Sequence, residues 1–506
     1  MEYLSSAFAS ILSSWYLVLI GAFIGILAGA IPGFSASNTL IIILPLTLNM
    51  QTEPALALMI SIYCGAQLGG SVPAILFNVP GTGSAAVTCF DGHPMQQQGK
   101  GWKAIIIAYI SSCLGGMLTT LITLFFLPAL RKVVYYFGTV ECFIVILFGI
   151  VLIAQLSSKS ALKGAVSGLL GLLIGGIGFD HIYSTPRATF GLIQLYDGVP
   201  SIPAIIGLLA ISEAIILAQK TRASGQEKLH GEYNDSLSET RDGIVTTLKN
   251  WITLIRSALI GYFVGIVPGA GASIGSFVSY QQALNLDPEN RDSYGKGNPR
   301  GIIASEAANN GLCAGSIIPM IALGIPGGST AAVMLIVLQS QGVALGPRLF
   351  ISTPKMAYVV FGIMLVANLA LLLIGIPTMK TLSKVVNLPA TILVPSIISF
   401  TLIGAFSERK FIFDMLLALL FGVIGYIMKK RGFSVHACLL GIMLGSKAEQ
   451  YFLRSLQLGS YKLSYFFSRP AGNVLWALLV LSLLIPPISA YVKKRNVKKR
   501  PEADRR

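Results

Sequence analysis

Pro73-Ala74-Ile75-Leu76-Phe77-Asn78-Val79-Pro80-Gly81-Thr82-Gly83-Ser84-Ala85-Ala86-Val87 is apolar at both ends, yet it cannot run as one helix. Pro80 lacks a backbone donor and its ring clashes with the preceding turn. Gly81 and Gly83 loosen the chain on either side of Thr82. The flanking segments read as membrane spans, and broken backbone at membrane depth persists only where protein buries it or it lines a wet cavity. The stretch occurs twice. Pro319-Met320-Ile321-Ala322-Leu323-Gly324-Ile325-Pro326-Gly327-Gly328-Ser329-Thr330-Ala331-Ala332-Val333 repeats it with the same seven-residue interval between the prolines. The expectation is that the two breaks face each other and form a site.

Composition agrees with a membrane setting. Of 506 residues, 54% are hydrophobic and 11% charged, against about a quarter charged in soluble domains. The 53 glycines suit close helix packing. A net charge of +16 invites a nucleic-acid reading, but much of it lies in Lys493-Lys494-Arg495-Asn496-Val497-Lys498-Lys499-Arg500, directly after an apolar span. That is a cytoplasmic anchor under the positive-inside rule, so the lipid bilayer is the expected partner and nucleic acid is not. Cys64, Cys89, Cys113, Cys142, Cys313 and Cys438 form no CxxC pair, and His93, His181, His230 and His436 lack ligand spacing. Free thiols are expected, with no metal site and no cofactor. The first basic residue is Lys100, so the N-terminal segment lacks the positive start of a signal peptide. That favours an N-terminus outside the cytoplasm.

Outward from the breaks, the chain divides in two. Trp15 to Ile31 reads as a first span, with Gly21, Gly25, Gly29 and Gly33 forming a packing row. Leu40–Leu48 and Ala55–Leu68 look too short to cross. After the first break come apolar segments at 104–127, 133–155, 162–179 and 203–219, then a charged stretch at 220–249 without apolar period. The order then recurs. Gly261, Gly265, Pro268 and Gly269 match Gly25, Gly29, Pro32 and Gly33, the second break matches the first, and segments at 356–378, 388–406, 411–428 and 433–446 follow. The interval from the first Pro-Gly to the break is 51 residues in the second half against 41 in the first, the surplus being a charged insertion around Asp287–Arg300. A last span at 471–490 has no counterpart.

The expected organisation is an all-α polytopic membrane protein of two inverted-topology repeats with discontinuous or re-entrant helices. Residues 1–219 form the first repeat, 220–250 a cytoplasmic linker and 251–446 the second repeat. Residues 447–492 form an extra C-terminal span with its preceding loop, and 493–506 a basic cytoplasmic tail. Placing the linker and tail in the cytoplasm puts most lysine clusters inside and gives the halves opposite orientation. Arg131, Lys132 and the loop 447–470 then fall outside, against the rule.

Paired helix breaks in inverted repeats are where secondary transporters hold substrate. A half-helix start offers free N–H groups and the positive end of a dipole, which suits a carboxylate. Asn78, Pro80, Gly81, Thr82, Gly83 and Ser84 form one half of the expected substrate site, and Pro326, Gly327, Gly328, Ser329 and Thr330 the other. A lone Pro-Gly reads as a kink; two symmetric copies flanked by hydroxyls favour a site. A second pair, Pro32-Gly33-Phe34-Ser35-Ala36-Ser37-Asn38 and Pro268-Gly269-Ala270-Gly271-Ala272-Ser273, offers Ser35, Ser37, Asn38, Gly271 and Ser273 to ion or substrate. Glu306, Asn309 and Asn310 lie about one helical turn apart. They read equally as ion or substrate ligands and as an interfacial cap or loop. Glu141 and Glu213 are carboxylates inside apolar segments, and Asp91 is placed to cap or position the loop after the first break. No nucleophile–base pair and no P-loop is present, so neither an enzyme nor ATP-driven transport is expected.

The motifs Gly29-Ala30-Ile31-Pro32-Gly33, Leu44-Pro45-Leu46-Thr47, Asn78-Val79-Pro80-Gly81-Thr82, Asp91-Gly92-His93-Pro94-Met95, Pro268-Gly269-Ala270-Gly271, Tyr294-Gly295-Lys296-Gly297 and Glu306-Ala307-Ala308-Asn309-Asn310 resemble the large membrane subunit of the tripartite tricarboxylate transporters, the TctA family. The resemblance implies a bacterial inner-membrane permease working with a small four-span membrane subunit and a periplasmic substrate-binding protein. It implies uptake of carboxylates such as citrate, driven by a Na+ or H+ gradient. The chain departs from the family pattern at Gln67-Leu68 and at Gly83-Ser84, both beside the first break, which bears on the identity of the substrate. An anion channel and an intramembrane enzyme are the alternatives.

Overall fold

The computed structural model describes residues 8, 11–31, 34–134, 136–156, 160–179, 185–224, 236–268, 271–385, 390–481 and 483. The first half contains α1 (Trp15–Gly29), α2 (Ala36–Leu48), α3 (Thr52–Gly69), α4 (Ser71–Phe77), α5 (Cys89–Gln97), α6 (Gly101–Val134), α7 (Thr139–Leu156) and α8 (Ala161–Gly175). A two-residue antiparallel pair follows, β1 (Gly178–Phe179) with β2 (Pro186–Arg187), and then α9 (Ser201–Ile205), which passes through a π segment (Ile206–Ile211) into α10 (Ser212–Ser224). After α11 (Leu237–Lys249) come α12 (Trp251–Ile266), α13 (Gly271–Asn285), α14 (Pro299–Leu323), α15 (Ser329–Ser340), α16 (Leu349–Ser352), α17 (Pro354–Val385), α18 (Ala390–Arg409), α19 (Ile412–Lys430), α20 (Val435–Leu458) and α21 (Pro470–Leu481). The chain is therefore the all-α polytopic protein expected.

Among the described residues, five helical stretches are long and apolar enough to cross a membrane: Thr52–Phe77, Gly101–Val134, Ser201–Gln219, Pro354–Lys380 and Ile412–Lys430. Leu173, Leu373 and Phe125 are 72–78% exposed, among many other exposed large apolar side chains. Such a belt is an aggregation liability in water and the solvated face in hydrocarbon.

Glycine decides the central packing. A Cβ on Gly21 would stand 2.6 Å from the Leu58 carbonyl oxygen, one on Gly25 2.5 Å from that of Ile62, and one on Gly29 would overlap Ala66. From the facing side, a Cβ on Gly65 would stand 2.6 Å from the Ala22 carbonyl oxygen. So α1 and α3 lie backbone to backbone and run the same way. The second half repeats the arrangement. A Cβ on Gly265 would stand 2.6 Å from the Leu312 oxygen and one on Gly311 2.7 Å from that of Ala258, fixing α12 against α14. Small residues permit this approach, and dispersion between the helices rewards it. Gly65→Ala and Gly311→Ala are therefore expected to destabilise by similar amounts, about 1–3 kcal/mol each. The check is the thermal midpoint of purified protein, and a large effect at one position with none at the other would contradict the equivalence.

Equivalent helices of the two halves also meet each other. On α3 and α14, Tyr63 Oη shares a hydrogen bond of 3.0 Å with Ser316 Oγ, Asn310 Nδ2 donates to the Cys64 carbonyl at 3.4 Å, and Asn309 Nδ2 donates to that of Gln67 at 3.1 Å. Residue numbers rise on one helix as they fall on the other, so the pair is antiparallel. The same holds for α6 and α17. Tyr109 Oη donates to the Leu371 and Leu372 carbonyls at 3.0 and 2.6 Å, while Gly116 abuts Asn368.

Four segments differ from the sequence expectation. Ala55–Leu68 is part of a continuous 26-residue apolar helix, Thr52–Phe77; Gly69-Gly70 and Pro73 are carried within it because the buried helix keeps its turn there. Leu40–Leu48 is the later part of α2, which begins at Ala36 and carries Pro45 inside it. Within 220–249, α11 forms from Leu237: Ser236 caps it, its side chain accepting from the Glu239 N–H. Trp102 Nε1 and the Lys103 N–H dock it on α6 through Thr240 Oγ1 and Glu239 Oε2. Segment 433–446 extends to Leu458, so Lys447 and Arg454 are helical. Glu141 lies buried in the first turn of α7 and pairs with Arg469, just before α21, at 2.9 Å. Glu213 pairs with Lys429 at 3.4 Å. Both carboxylates are tied to distant parts of the chain.

Candidate functional site

The two breaks share one backbone design. α4 ends at Asn78 in the left-handed region (φ 57°), and α14 ends at Gly324 in the same region (φ 72°). Asparagine tolerates that conformation where most side chains do not. The Val79 N–H donates to the Pro73 carbonyl at 3.3 Å and the Ile325 N–H to that of Pro319 at 3.2 Å. The Gly81 N–H donates to the Gly70 carbonyl at 3.1 Å and the Gly327 N–H to that of Ser316 at 3.3 Å. Each break is folded back onto the helix that leads into it. A Cβ on Gly81 would fall on the Gly29 carbonyl oxygen and stand 2.7 Å from the Gly70 Cα, and one on Gly327 would stand 2.5 Å from the Ser316 oxygen. These two glycines are required by contact.

Beyond the prolines the two copies diverge in length but not in neighbours. Gly83–Ala86 forms a single 3-10 turn, whereas Ser329 opens the twelve-residue α15. Thr82 and Ser84 are buried and share a hydroxyl bond of 3.1 Å, and Ser84 Oγ donates to Gln67 Oε1 at 3.3 Å. Gly83 is exposed, and a Cβ there would stand 3.0 Å from Ser273 Oγ, near the start of α13. In the other copy, Ser329 Oγ donates to Ser37 Oγ at 3.2 Å, near the start of α2. Ser37 in turn bonds Ser35 Oγ at 2.9 Å, and Ser35 caps α2 by accepting from the Asn38 N–H at 3.3 Å. The sequence expectation set break against break. These contacts set each break against the start of the short helix from the opposite half. Pro326 and Thr330 are buried, Asn38 is buried, Pro80 is half-buried and Asn78 is exposed. A Cβ on Gly328 would meet nothing within 4 Å among the described residues, so the second break borders open space there. Gly271 is the first residue of α13. Pro32-Gly33 and Gly269-Ala270 lie outside the described residues.

Two meetings result: the starts of α2 and α15 share Ser35, Ser37 and Ser329, and the start of α13 brings Ser273 to the Thr82–Ser84 turn. The first N–H groups of these helices have no carbonyl inside the helix to bond, and the dipole presents its positive end. An anionic oxygen is the ligand such a surface accepts.

Glu306, Asn309 and Asn310 are in the interior of the 25-residue α14, all fully buried, so the cap or loop reading of them falls away. The Glu306 carboxylate accepts from Thr88 Oγ1, from Ser112 Oγ at 2.8 Å and from Asn309 Nδ2 at 3.5 Å. Asp91, in the first turn of α5, does position a loop, and the loop belongs to the second half. Its Oδ1 accepts from the N–H groups of Gly295, Gly297 and Asn298 at 2.8, 3.0 and 2.8 Å, and its Oδ2 from Tyr280 Oη at 2.9 Å. Burial pushes this carboxyl above its ordinary range, against the pull of those four donors. The insertion at Asp287–Arg300 is thereby explained: it closes on itself through an Arg300–Asp287 pair of 2.6 Å and clasps the segment after the first break. Gln67, met in the sequence only as a departure from the family pattern, belongs to the polar interior, as do Thr88, Ser112 and Asn368, which were not singled out from sequence. Their signal is a lone amide or hydroxyl within an apolar run. Among the described residues no group of three or more His, Cys, Asp or Glu side chains is placed to hold a metal ion.

The model of the tripartite tricarboxylate transporter TctA family matches residues 16–440. An uncharacterised 52.8 kDa protein in the TAR-I ttuC' 3' region of Agrobacterium vitis is 28% identical over 487 residues, covering 94% of each chain. A second protein of that organism, in the TAR-II ttuC' 3' region, is 28% identical over 236 residues, 47% of this chain and 97% of the relative. An uncharacterised protein of Methanocaldococcus jannaschii is 25% identical over 195 residues, 38% of this chain and 48% of the relative. No solved structure matches.

Proposed function

The chain belongs to the tripartite tricarboxylate transporter TctA family, and on that premise we propose that it is the large permease subunit of a carboxylate uptake system. It acts as a transporter and not as an enzyme. The observation that carries the reading is the pair of breaks with matching hydrogen bonds, each set against a helix start from the other half. A carboxylate bound there is held by backbone N–H groups and hydroxyls, without a buried arginine. The antiparallel meeting of α3 with α14 and of α6 with α17 supports an inverted repeat, the architecture that lets one site open to either side of a membrane in turn.

In this proposal the chain sits in a bacterial inner membrane, N-terminus outside and C-terminus in the cytoplasm. A small four-span membrane subunit accompanies it, and a periplasmic substrate-binding protein delivers the carboxylate. A Na+ or H+ gradient supplies the driving force, and alternating access moves the substrate. Reconstitution of the chain with its small subunit and binding protein in proteoliposomes tests this. Uptake of labelled di- and tricarboxylates is expected to saturate and to follow an imposed sodium or proton gradient. Flux that never saturates and ignores both gradients would sink the proposal and leave an anion channel.

A further inference from the structure

We infer that the crossing of α3 and α14, beside α6 and α17, binds a monovalent alkali cation through the side-chain carbonyls of Asn309, Asn310 and Asn368. The inference rests on the reading of the chain as an ion-coupled carboxylate transporter and names where the ion sits.

Three buried amides lead to it. Asn309, Asn310 and Asn368 are each at most 1% exposed, and the Oδ1 of each has no hydrogen-bond partner among the described residues. The orientation of each amide is fixed by its nitrogen. Asn309 Nδ2 donates to the Gln67 carbonyl at 3.1 Å, Asn310 Nδ2 to that of Cys64 at 3.4 Å, and Asn368 Nδ2 to that of Met364 at 2.8 Å. Turning any of them over would set oxygen against oxygen, so the carbonyls cannot be satisfied by a flip. A buried acceptor left without a donor is costly, and these three amides lie close together: Asn309 and Asn310 reach the Gln67 and Cys64 carbonyls on one turn of α3, and Asn368 Nδ2 lies 3.9 Å from Cys64 Sγ.

Their chemistry selects the ligand. Neutral amide oxygens are hard donors and suit alkali and alkaline-earth cations. Glu306 lies one turn before Asn309 on α14 and contacts Asn309 Nδ2 at 3.5 Å, while its other partners, Thr88 and Ser112, are uncharged hydroxyls. One carboxylate balances one positive charge. A divalent ion would leave a net charge buried. Gly116 completes the argument from the side of α6, because any side chain there would displace the Asn368 carbonyl.

The position also links the ion to the substrate site. Asn309 holds the Gln67 carbonyl, Gln67 Oε1 accepts from Ser84 Oγ, and Ser84 bonds Thr82 in the first break. A cation that fixes Asn309 thereby stiffens the break.

The test uses the purified full-length chain in detergent, without carboxylate. Its thermal midpoint is measured in NaCl, KCl and LiCl against choline chloride at equal ionic strength. A ligand that binds only the folded state raises the midpoint with its concentration. An alkali cation, NaCl first, is expected to raise the midpoint beyond choline until the site fills, and Asn310→Leu and Asn368→Leu are expected to lose that rise. Equal midpoints in all four salts, or an undiminished rise in both variants, would overturn the inference. Should a variant fail to accumulate, binding of radiolabelled sodium to the wild-type protein decides: saturable binding displaced by KCl or LiCl but not by choline supports the site, and no saturable binding overturns it. Because no carboxylate is present, a protein that binds the cation but transports no carboxylate would keep this site and lose the transport reading.

Discussion

Leucine at Gly81 or Gly327 is expected to cut carboxylate uptake at least about 100-fold, the scale on which a misplacement of about 1 Å at a positioning contact acts. Gly81 lies against the backbone of both Gly29 and Gly70, and Gly327 against that of Ser316. Backbone cannot move aside as a side-chain tip can, so an added side chain must push the break off its supporting helix. The Gly81–Gly70 and Gly327–Ser316 hydrogen bonds of 3.1 and 3.3 Å would be lost in the same step. With them goes the aim of the Thr82–Ser84 turn at one break and of the α15 start at the other. Alanine at these positions is expected to act in the same direction with a smaller loss. Gly328→Ala is the control, since its backbone is extended (φ −168°) and a Cβ there meets nothing within 4 Å among the described residues. It is expected to keep the wild-type thermal midpoint. Membrane fractions probed for each variant, with uptake scored per inserted protein, make the comparison. Wild-type uptake by inserted Gly81→Leu and Gly327→Leu proteins would refute the assignment of the breaks.

The second large effect concerns Asp91. Removing its carboxylate by Asp91→Ala strands the N–H groups of Gly295, Gly297 and Asn298 and the Tyr280 hydroxyl. The Asn298 N–H and the Tyr280 hydroxyl are buried, Gly297 is half-buried and Gly295 is open to water; at roughly 1–2 kcal/mol for each stranded buried donor, the sum is about 3–5 kcal/mol. That is a large share of the stability of an ordinary protein. Asp91→Asn keeps an oxygen for the three N–H groups and sets an amide nitrogen beside Tyr280, whose hydroxyl can accept as well as donate. Its expected cost is about 1 kcal/mol. Thermal midpoints and membrane yields of the two variants are the measurement. An alanine variant as stable as wild type would show that the clasp between the halves does not hold them.

Much of this was legible in the chain. The repeated Pro-Gly stretch located both breaks, because proline and glycine act locally and leave little room for tertiary context to override them. The glycine row on α1 predicted a close helix partner, which proved to be α3. Asp91 was placed as a loop-positioning carboxylate, but its loop lies some 200 residues further on, a distance no local pattern spans. The partner of each break was not legible for the same reason: Ser37 and Ser273 meet the opposite half only through the packing of α2 and α13. Ala55–Leu68 was read as a short apolar run by itself, whereas burial on every side carries the helix from Thr52 past Gly69-Gly70 and Pro73 to Phe77. The helix at 237–249 carried a signal that a search for apolar period misses, the Ser236-Leu237-Ser238-Glu239 cap.

Protection of a thiol placed in the site tests the central claim most directly. Five of the six native cysteines are buried, leaving Cys142 as the background to subtract. In Ser329→Cys and Ser273→Cys proteins, a transported carboxylate is expected to slow maleimide labelling at both positions with the same concentration dependence, because each lies where a break meets the opposite helix start. Labelling that proceeds at one rate with and without every carboxylate the protein transports would contradict the account.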